Sequence, residues 1–380
     1  MGVLVGFWRS LLKLSAKDYK LKALVSSRTF EPLDKFGAAV HVFCDIDKTY
    51  LETEFESWIK MAKIPFESPH DKITVPGASE VIQLTRWGGN PVERMNPNAG
   101  IHFVSSSPPQ LRLALDGKLT LDHLEWSSDT FKNQTYNLRM GRIDLLRDHI
   151  AYKTKAILDI ATKLPDGSRV VMIGDNAEYD SFVYTGAKLF LEGKIGVSGL
   201  REWLRGGKVE ESVISQVIGN DVKVASNISV SGIYIRTVPG YIGSPITRFD
   251  ASWFRFDHWL QVAWSLMKAG IIDPEALPMC IRTFHNLHGV PLAHLRWCLH
   301  KALLDDRVGG MLRAMTERTL DDLGSVGASG TSRRMLPWDF DMEPTREIDP
   351  SLAIDPKQDA NVWCQSIEAM REERKRRKGR

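Results

Sequence analysis

The chain has 380 residues, 43% hydrophobic and 26% charged, a balance that excludes wholesale disorder and predicts about two domains. Its formal net charge of +3 is too small a bias to argue for nucleic acid, so no specific nucleic-acid partner is expected. The four cysteines, Cys44, Cys280, Cys298 and Cys364, form neither a CxxC pair nor a zinc-ligand spacing, and read as reduced thiols of a cytoplasmic protein.

Residues 1–37 read as an N-terminal amphipathic segment. Val3, Leu4, Val5, Phe7, Trp8, Leu11, Leu12 and Leu14 are interrupted by Arg9 and Lys13, which argues against a signal peptide or a spanning helix. The segment either docks on the protein or lies on a lipid surface. A first folded domain is placed at 38–248. It opens with a short Val-rich strand from Ala38 to Cys44 that ends at Asp45. Pro76-Gly77 starts a helix carrying Val81, Ile82 and Leu84, and Ile101 to Val104 forms a second strand followed by Ser105-Ser106-Ser107-Pro108. Residues 109–148 carry no clear period. Tyr152 to Thr162 has a helical face, Val170 to Ile173 is a third strand closed by Gly174-Asp175, segment 187–232 is unassigned, and Ile233 to Arg236 is a later strand. Strand, helix, strand alternation implies a mostly parallel sheet with ligands at its C-terminal edge, where all three polar clusters fall.

Beyond residue 249 the texture changes. Trp253, Phe256, Trp259, Leu260, Ala263, Trp264 and Met267 recur at helical spacing, so 249–323 is read as a helical accessory domain, its Trp stripe packed in a core or facing lipid. Residues 324–380 read as a linker and basic tail. His285, His288, His294 and His300 match no zinc pattern, and no P-loop, dinucleotide fingerprint or nucleophile elbow is present.

Asp45-Ile46-Asp47-Lys48-Thr49 places two carboxylates on one side of an extended segment just past a strand. One carboxylate can attack phosphorus and form an acyl phosphate, while its neighbour protonates the leaving oxygen and then takes a proton from water. The two groups need different environments to play opposite roles. Ser105, with the backbone N–H groups after it, can hold phosphoryl oxygens. Lys153 offers a point charge, with Lys155 as the alternative, and the Gly174-to-Asp180 stretch supplies oxygen ligands suited to Mg2+.

Four phrases, CDIDKTYLET, VPGASEVIQL, IHFVSSSPPQL and VVMIGDNAEYDSFVY, resemble the catalytic domain of fungal actin-patch phosphatidate phosphatases and their bacterial relatives, within the haloacid dehalogenase superfamily. The resemblance implies an α/β fold: a Rossmann-like three-layer sandwich of the haloacid dehalogenase type with a small or absent cap, plus the C-terminal helical region. It implies Mg2+-dependent hydrolysis of a phosphomonoester, phosphatidate or a related lipid phosphate, through a phospho-aspartate. Asp45 would be nucleophile and metal ligand, Asp47 acid/base and metal ligand through its carbonyl, and Asp175 a further metal ligand. Ser105 and Ser106 would bind phosphate and Lys153 would stabilise it, with Asp180, Asn176 and Thr49 in support. The protein would be cytoplasmic, with peripheral contact at a membrane surface. A soluble metabolite phosphatase and a catalytically silent phospholipid-binding module are the alternatives.

Overall fold

The structure is a computed structural model that describes residues 25–33, 40–52, 69–89, 97–107, 109–132, 149–219, 228–238, 253–304 and 307–326, together with 360, 361, 365 and 372. The apolar stretch before residue 25, Cys364 and nearly all of the basic tail lie outside these residues.

Seven strands form one sheet: β1 (Val25–Thr29), β2 (Val40–Asp45), β3 (Ala99–Ser105), β4 (Ser128–Lys132), β5 (Arg169–Asp175), β6 (Ser229–Arg236) and β7 (Trp253–Phe256). Their order is β1-β4-β3-β2-β5-β6-β7, with β1 antiparallel to β4 and the other pairs parallel. The inner strands are buried on both sides, and the period of two sorts their side chains between two cores. Val42, Cys44, Val171, Ile173 and Tyr234 face one core. Phe43, Val170, Met172, Ile233 and Ile235 face the other.

Helices cover both faces, which makes an α/β sandwich. On the second core lie α3 (His149–Ala161), α4 (Asp180–Leu191), α5 (Val197–Gly206) and α6 (Glu211–Ile218), the last two occupying the stretch that showed no pattern in sequence. On the first core lie α1 (Ala78–Trp87) and α2 (Arg112–Leu121) with the later helices α7 (Trp259–Lys268), α8 (Leu277–Asn286), α9 (Leu292–Leu304) and α10 (Gly310–Val326). The later helices share this core with α1. Gly77, left-handed at φ 84°, precedes α1, and a Cβ there would lie 1.7 Å from the Phe284 ring of α8. Asp273 N–H donates to the Gly88 carbonyl at the end of α1 (2.8 Å).

Two sequence expectations change. Trp253 and Phe256 lie on β7, where parallel pairing with β6 continues the sheet, so the helical period begins only at Trp259. Trp259 and Trp264 are fully buried, which makes their part of the stripe core packing. The unassigned stretch after residue 109 contributes α2 and β4. β4 reads SDTFK, yet all five residues are buried, because partners satisfy its polar groups: Ser128 Oγ meets His102 Nδ1 at 2.7 Å, and Asp129 pairs with Arg28 and Arg112.

Candidate active site

Parallel register brings the C-terminal ends of four adjacent strands to one edge. Asp45 ends the central strand β2 opposite Val104 of β3, and Asp175 at the end of β5 lies opposite Arg236 of β6. Backbone polar groups left unpaired at strand ends must find partners in the following loops. The loop after β2 turns at Lys48, whose φ of 62° is unusual for a side chain of this kind, and Arg236 Nη1 donates to the Lys48 carbonyl at 2.6 Å. Tyr50 and Leu51 N–H close the turn on the Ile46 carbonyl.

Lys153 projects from α3 into this edge with no exposed surface. Its ammonium lies 2.9 Å from Asp45 Oδ1 and 3.3 Å from Glu178 Oε2, and it donates to Asp180. Burial works against the charged ammonium, but Asp180, Asp45 and Glu178 outweigh it and raise its pKa well above the ordinary value. Lys155 is on another face of the helix, half-buried and paired with Asp159 at 2.8 Å. Of the two lysines left open by the sequence, Lys153 is the one at this edge.

Asp47 is buried, and its Oδ2 accepts from Ser105 Oγ and Ser107 Oγ, each at 3.1 Å, while Ser107 N–H donates to Ser105 Oγ. Burial, reinforced by Glu178, pushes the Asp47 pKa up against the lowering effect of the two serine hydroxyls. Thr49 Oγ1 reaches toward Asp45 Oδ2 at 3.4 Å. Asn176 has a stapling place: its Oδ1 accepts from Val238 N–H (2.8 Å) and its N–H donates to the Arg236 carbonyl, tying the β5 and β6 ends together. Ser106 points elsewhere from its neighbours. Its hydroxyl meets Glu178 Oε2 (2.9 Å), His149 Nδ1 (3.0 Å) and Tyr152 Oη (3.1 Å).

Asp45, Asp175 and Asp180 are buried and offer carboxylate oxygens that all lie within 4.8 Å of one another, the sole such group among the described residues. Asp175 Oδ1 accepts from Ala177 and Glu178 N–H, whereas its Oδ2 is buried without a hydrogen-bond partner. Gly174 is needed here, because a Cβ would lie 2.4 Å from Asp180 Oδ2. Burial, followed by mutual repulsion among these carboxylates, raises the pKa of Asp45 well above normal and that of Asp175 to about 7. An oxygen-only donor set with excess buried negative charge and an orphaned carboxylate oxygen fits a hard divalent cation.

Sequence reasoning missed Ser107, His149, Glu178 and Arg236 as members of this edge. Ser107 and Glu178 were inside recognised motifs, and His149 precedes Lys153 by about one helical turn. Arg236 carried no local signal beyond ending a strand. The four histidines of the helical region do not converge: His288 pairs with Glu80 at 2.8 Å, and His285 Nδ1 meets the Val290 carbonyl. No helix among the described residues is long and apolar enough to cross a membrane.

Residues 40–202 match a family model described as the catalytic domain of phosphatidate phosphatase APP1. The match supports a kinship with that family over these residues. An uncharacterized protein of Schizosaccharomyces pombe is 28% identical over 175 residues, which are 46% of this chain and 26% of that relative's length. No solved structure matches.

Proposed function

We propose that the chain is a Mg2+-dependent phosphatidate phosphatase, or a phosphatase of a related lipid phosphate, acting through a phospho-aspartate at a haloacid dehalogenase-type centre. The observation that carries this reading is the convergence of Asp45, Asp47, Ser105, Lys153 and Asp175 at one sheet edge, within the segment that matches the phosphatase family. Asp45 sits at the end of the central strand and attacks phosphorus, forming the Asp45 Oδ–P bond as the bond to the leaving oxygen breaks. Asp47, whose raised pKa favours keeping a proton, gives that proton to the leaving oxygen. It then takes a proton from the water that attacks phosphorus, which frees Asp45 and releases inorganic phosphate. Ser105 and Ser107 orient the Asp47 carboxylate. Lys153 favours the ionised form of Asp45 against the effect of burial and offsets the charge of the transferring group. Asp45, Asp175 and the Asp47 carbonyl would hold Mg2+, which when bound neutralises charge on the phosphoryl oxygens.

A lipid phosphate as substrate rests on the family description. Peripheral membrane contact through residues before 25 belongs to the same proposal. The test is phosphate release from phosphatidate in mixed micelles and from a panel of soluble phosphomonoesters, each with and without Mg2+. Metal-dependent release from phosphatidate is expected. Release from soluble esters alone would move the substrate to metabolites, and silence on every ester would remove the phosphatase reading.

A further inference from the structure

Three donors from two parts of the fold converge on a single carboxylate oxygen. Glu178 Oε2 lies 2.9 Å from Ser106 Oγ, 3.2 Å from His149 Nδ1 and 3.3 Å from Lys153 Nζ. Ser106 comes from the loop after β3, while His149 and Lys153 come from successive turns of α3. The arrangement is not a nucleophilic triad. Ser106 Oγ and Glu178 Oε2 both address the same ring nitrogen, Nδ1 of His149, so the imidazole cannot pass a proton from one to the other through its two nitrogens.

What these groups do share is the chemistry of an oxyanion site: an ammonium, a hydroxyl and an imidazole N–H aimed at one negatively charged oxygen. Ser106 and Lys153 are also the groups that a phosphoryl oxygen would be expected to meet. The lysine has three N–H donors, and three carboxylates already surround it. Asp45 is at 2.9 Å, Asp180 is in direct contact and Glu178 is the more distant at 3.3 Å. Glu178 is also the most accessible of these partners, 18% exposed against 1% for Asp45 and 0% for Asp180, and His149 beside it is 24% exposed. A phosphoryl group arriving at Lys153 therefore displaces Glu178 at the least cost.

We propose, resting on the phosphatase reading above, that Lys153, Ser106 and His149 form a cradle for a phosphoryl oxygen, that His149 is a substrate-binding residue, and that Glu178 fills the cradle until the phosphoryl group replaces it. Glu178 keeps the three donors preorganised and desolvated without a substrate, and it competes with the substrate for them. This competition fixes the sign of the effect. Removing the Glu178 charge strengthens phosphate binding, whereas removing a merely structural carboxylate weakens it or leaves it unchanged.

The experiment is a calorimetric titration of the full chain with inorganic phosphate at saturating Mg2+. Glu178→Gln is expected to bind phosphate about tenfold more tightly than the natural chain, and His149→Asn about tenfold more weakly, as befits the loss of one charge-assisted contact. If Glu178→Gln does not fold, Glu178→Ser carries the same comparison. Weaker or unchanged phosphate binding in the Glu178 variant, unchanged binding in His149→Asn, or no phosphate binding by the natural chain would each overturn the cradle. Turnover measured on the same samples separates the two claims. Hydrolysis with phosphate affinities of the wrong sign removes the cradle and leaves the phosphatase, whereas the expected affinities with no hydrolysis uphold the cradle and remove the phosphatase.

Discussion

Two buried ionic clusters in this molecule have opposite design. Near the other end of β3, Arg86 of α1 is 2% exposed and donates through Nη2 to both oxygens of Glu31 at 2.8 Å, while Nη1 reaches the Ala99 carbonyl and Ser127 Oγ. Ser127 Oγ donates in turn to Glu31 Oε2. A cation here meets an anion of opposite charge, Nη2 spanning both carboxylate oxygens while a hydroxyl and a carbonyl accept from Nη1. At the C-terminal edge, Lys153 faces Asp45, Asp180 and Glu178, with Asp175 adjoining them. A buried cluster of balanced charge holds elements together. One with excess charge of a single sign costs stability and is kept for a ligand of opposite charge.

The sharpest break of this contrast is Asp45→Asn. It should lower phosphate release by more than about a thousandfold, as loss of a nucleophile does. The melting temperature should stay close to that of the natural chain, because the change removes one of several crowded carboxylates. Arg86→Met should do the reverse. Removing the buried Arg86 cation from beside Glu31 costs about 3–5 kcal/mol in denaturant unfolding, while turnover per folded molecule is unchanged.

Mg2+ should act on the acidic edge alone. At about a hundredfold excess over its dissociation constant it should add about 2.7 kcal/mol of stability, read as a rise in melting temperature. Asp175→Asn should abolish most of that rise, and a full rise in this variant would remove Asp175 from the metal site.

A last expected effect concerns pH. Burial lowers the pKa of His41 to about 4 and that of His102, 3.0 Å away across β2 and β3, well below its ordinary value. In the unfolded chain both histidines take up protons near pH 6.5, whereas the folded chain keeps them neutral. Stability is therefore complete above about pH 6.5 and falls as pH drops toward 4, by about 1.4 kcal/mol per pH unit for each histidine. His41→Gln should reduce that slope by one proton's worth. The comparison is made at saturating Mg2+, so that the carboxylates contribute equally to both chains. An unchanged slope would refute the assignment.

The parts of the fold that were legible in sequence are those with a strong local signature. The runs ending at Cys44, Val104 and Ile173 are apolar because their strands are covered on both faces, and each is closed by a polar cluster. The strands β1 and β4 were not legible, because VSSRT and SDTFK carry no apolar alternation. Their place in the sheet depends on partners distant in the chain. Arg28 bridges Asp116 and Asp129, and His102 meets Ser128. The strand β7 was hidden by a run of aromatic residues whose spacing suits a helix just as well.

The sequence by itself determined the inner strands of the sheet, the carboxylate pair, the serine loop and the acidic stretch after Gly174, since each is a short contiguous pattern with its chemistry in its own residues. Only the tertiary structure decided between Lys153 and Lys155, which are two residues apart on one helix and face different surroundings. It also separated the three serines, sending Ser105 and Ser107 to Asp47 and Ser106 to Glu178, and it brought His149 and Arg236 to the edge. These are relations between elements, set by parallel register and by the docking of α3 on the sheet, and no local pattern encodes which side of a helix or loop meets a distant strand end.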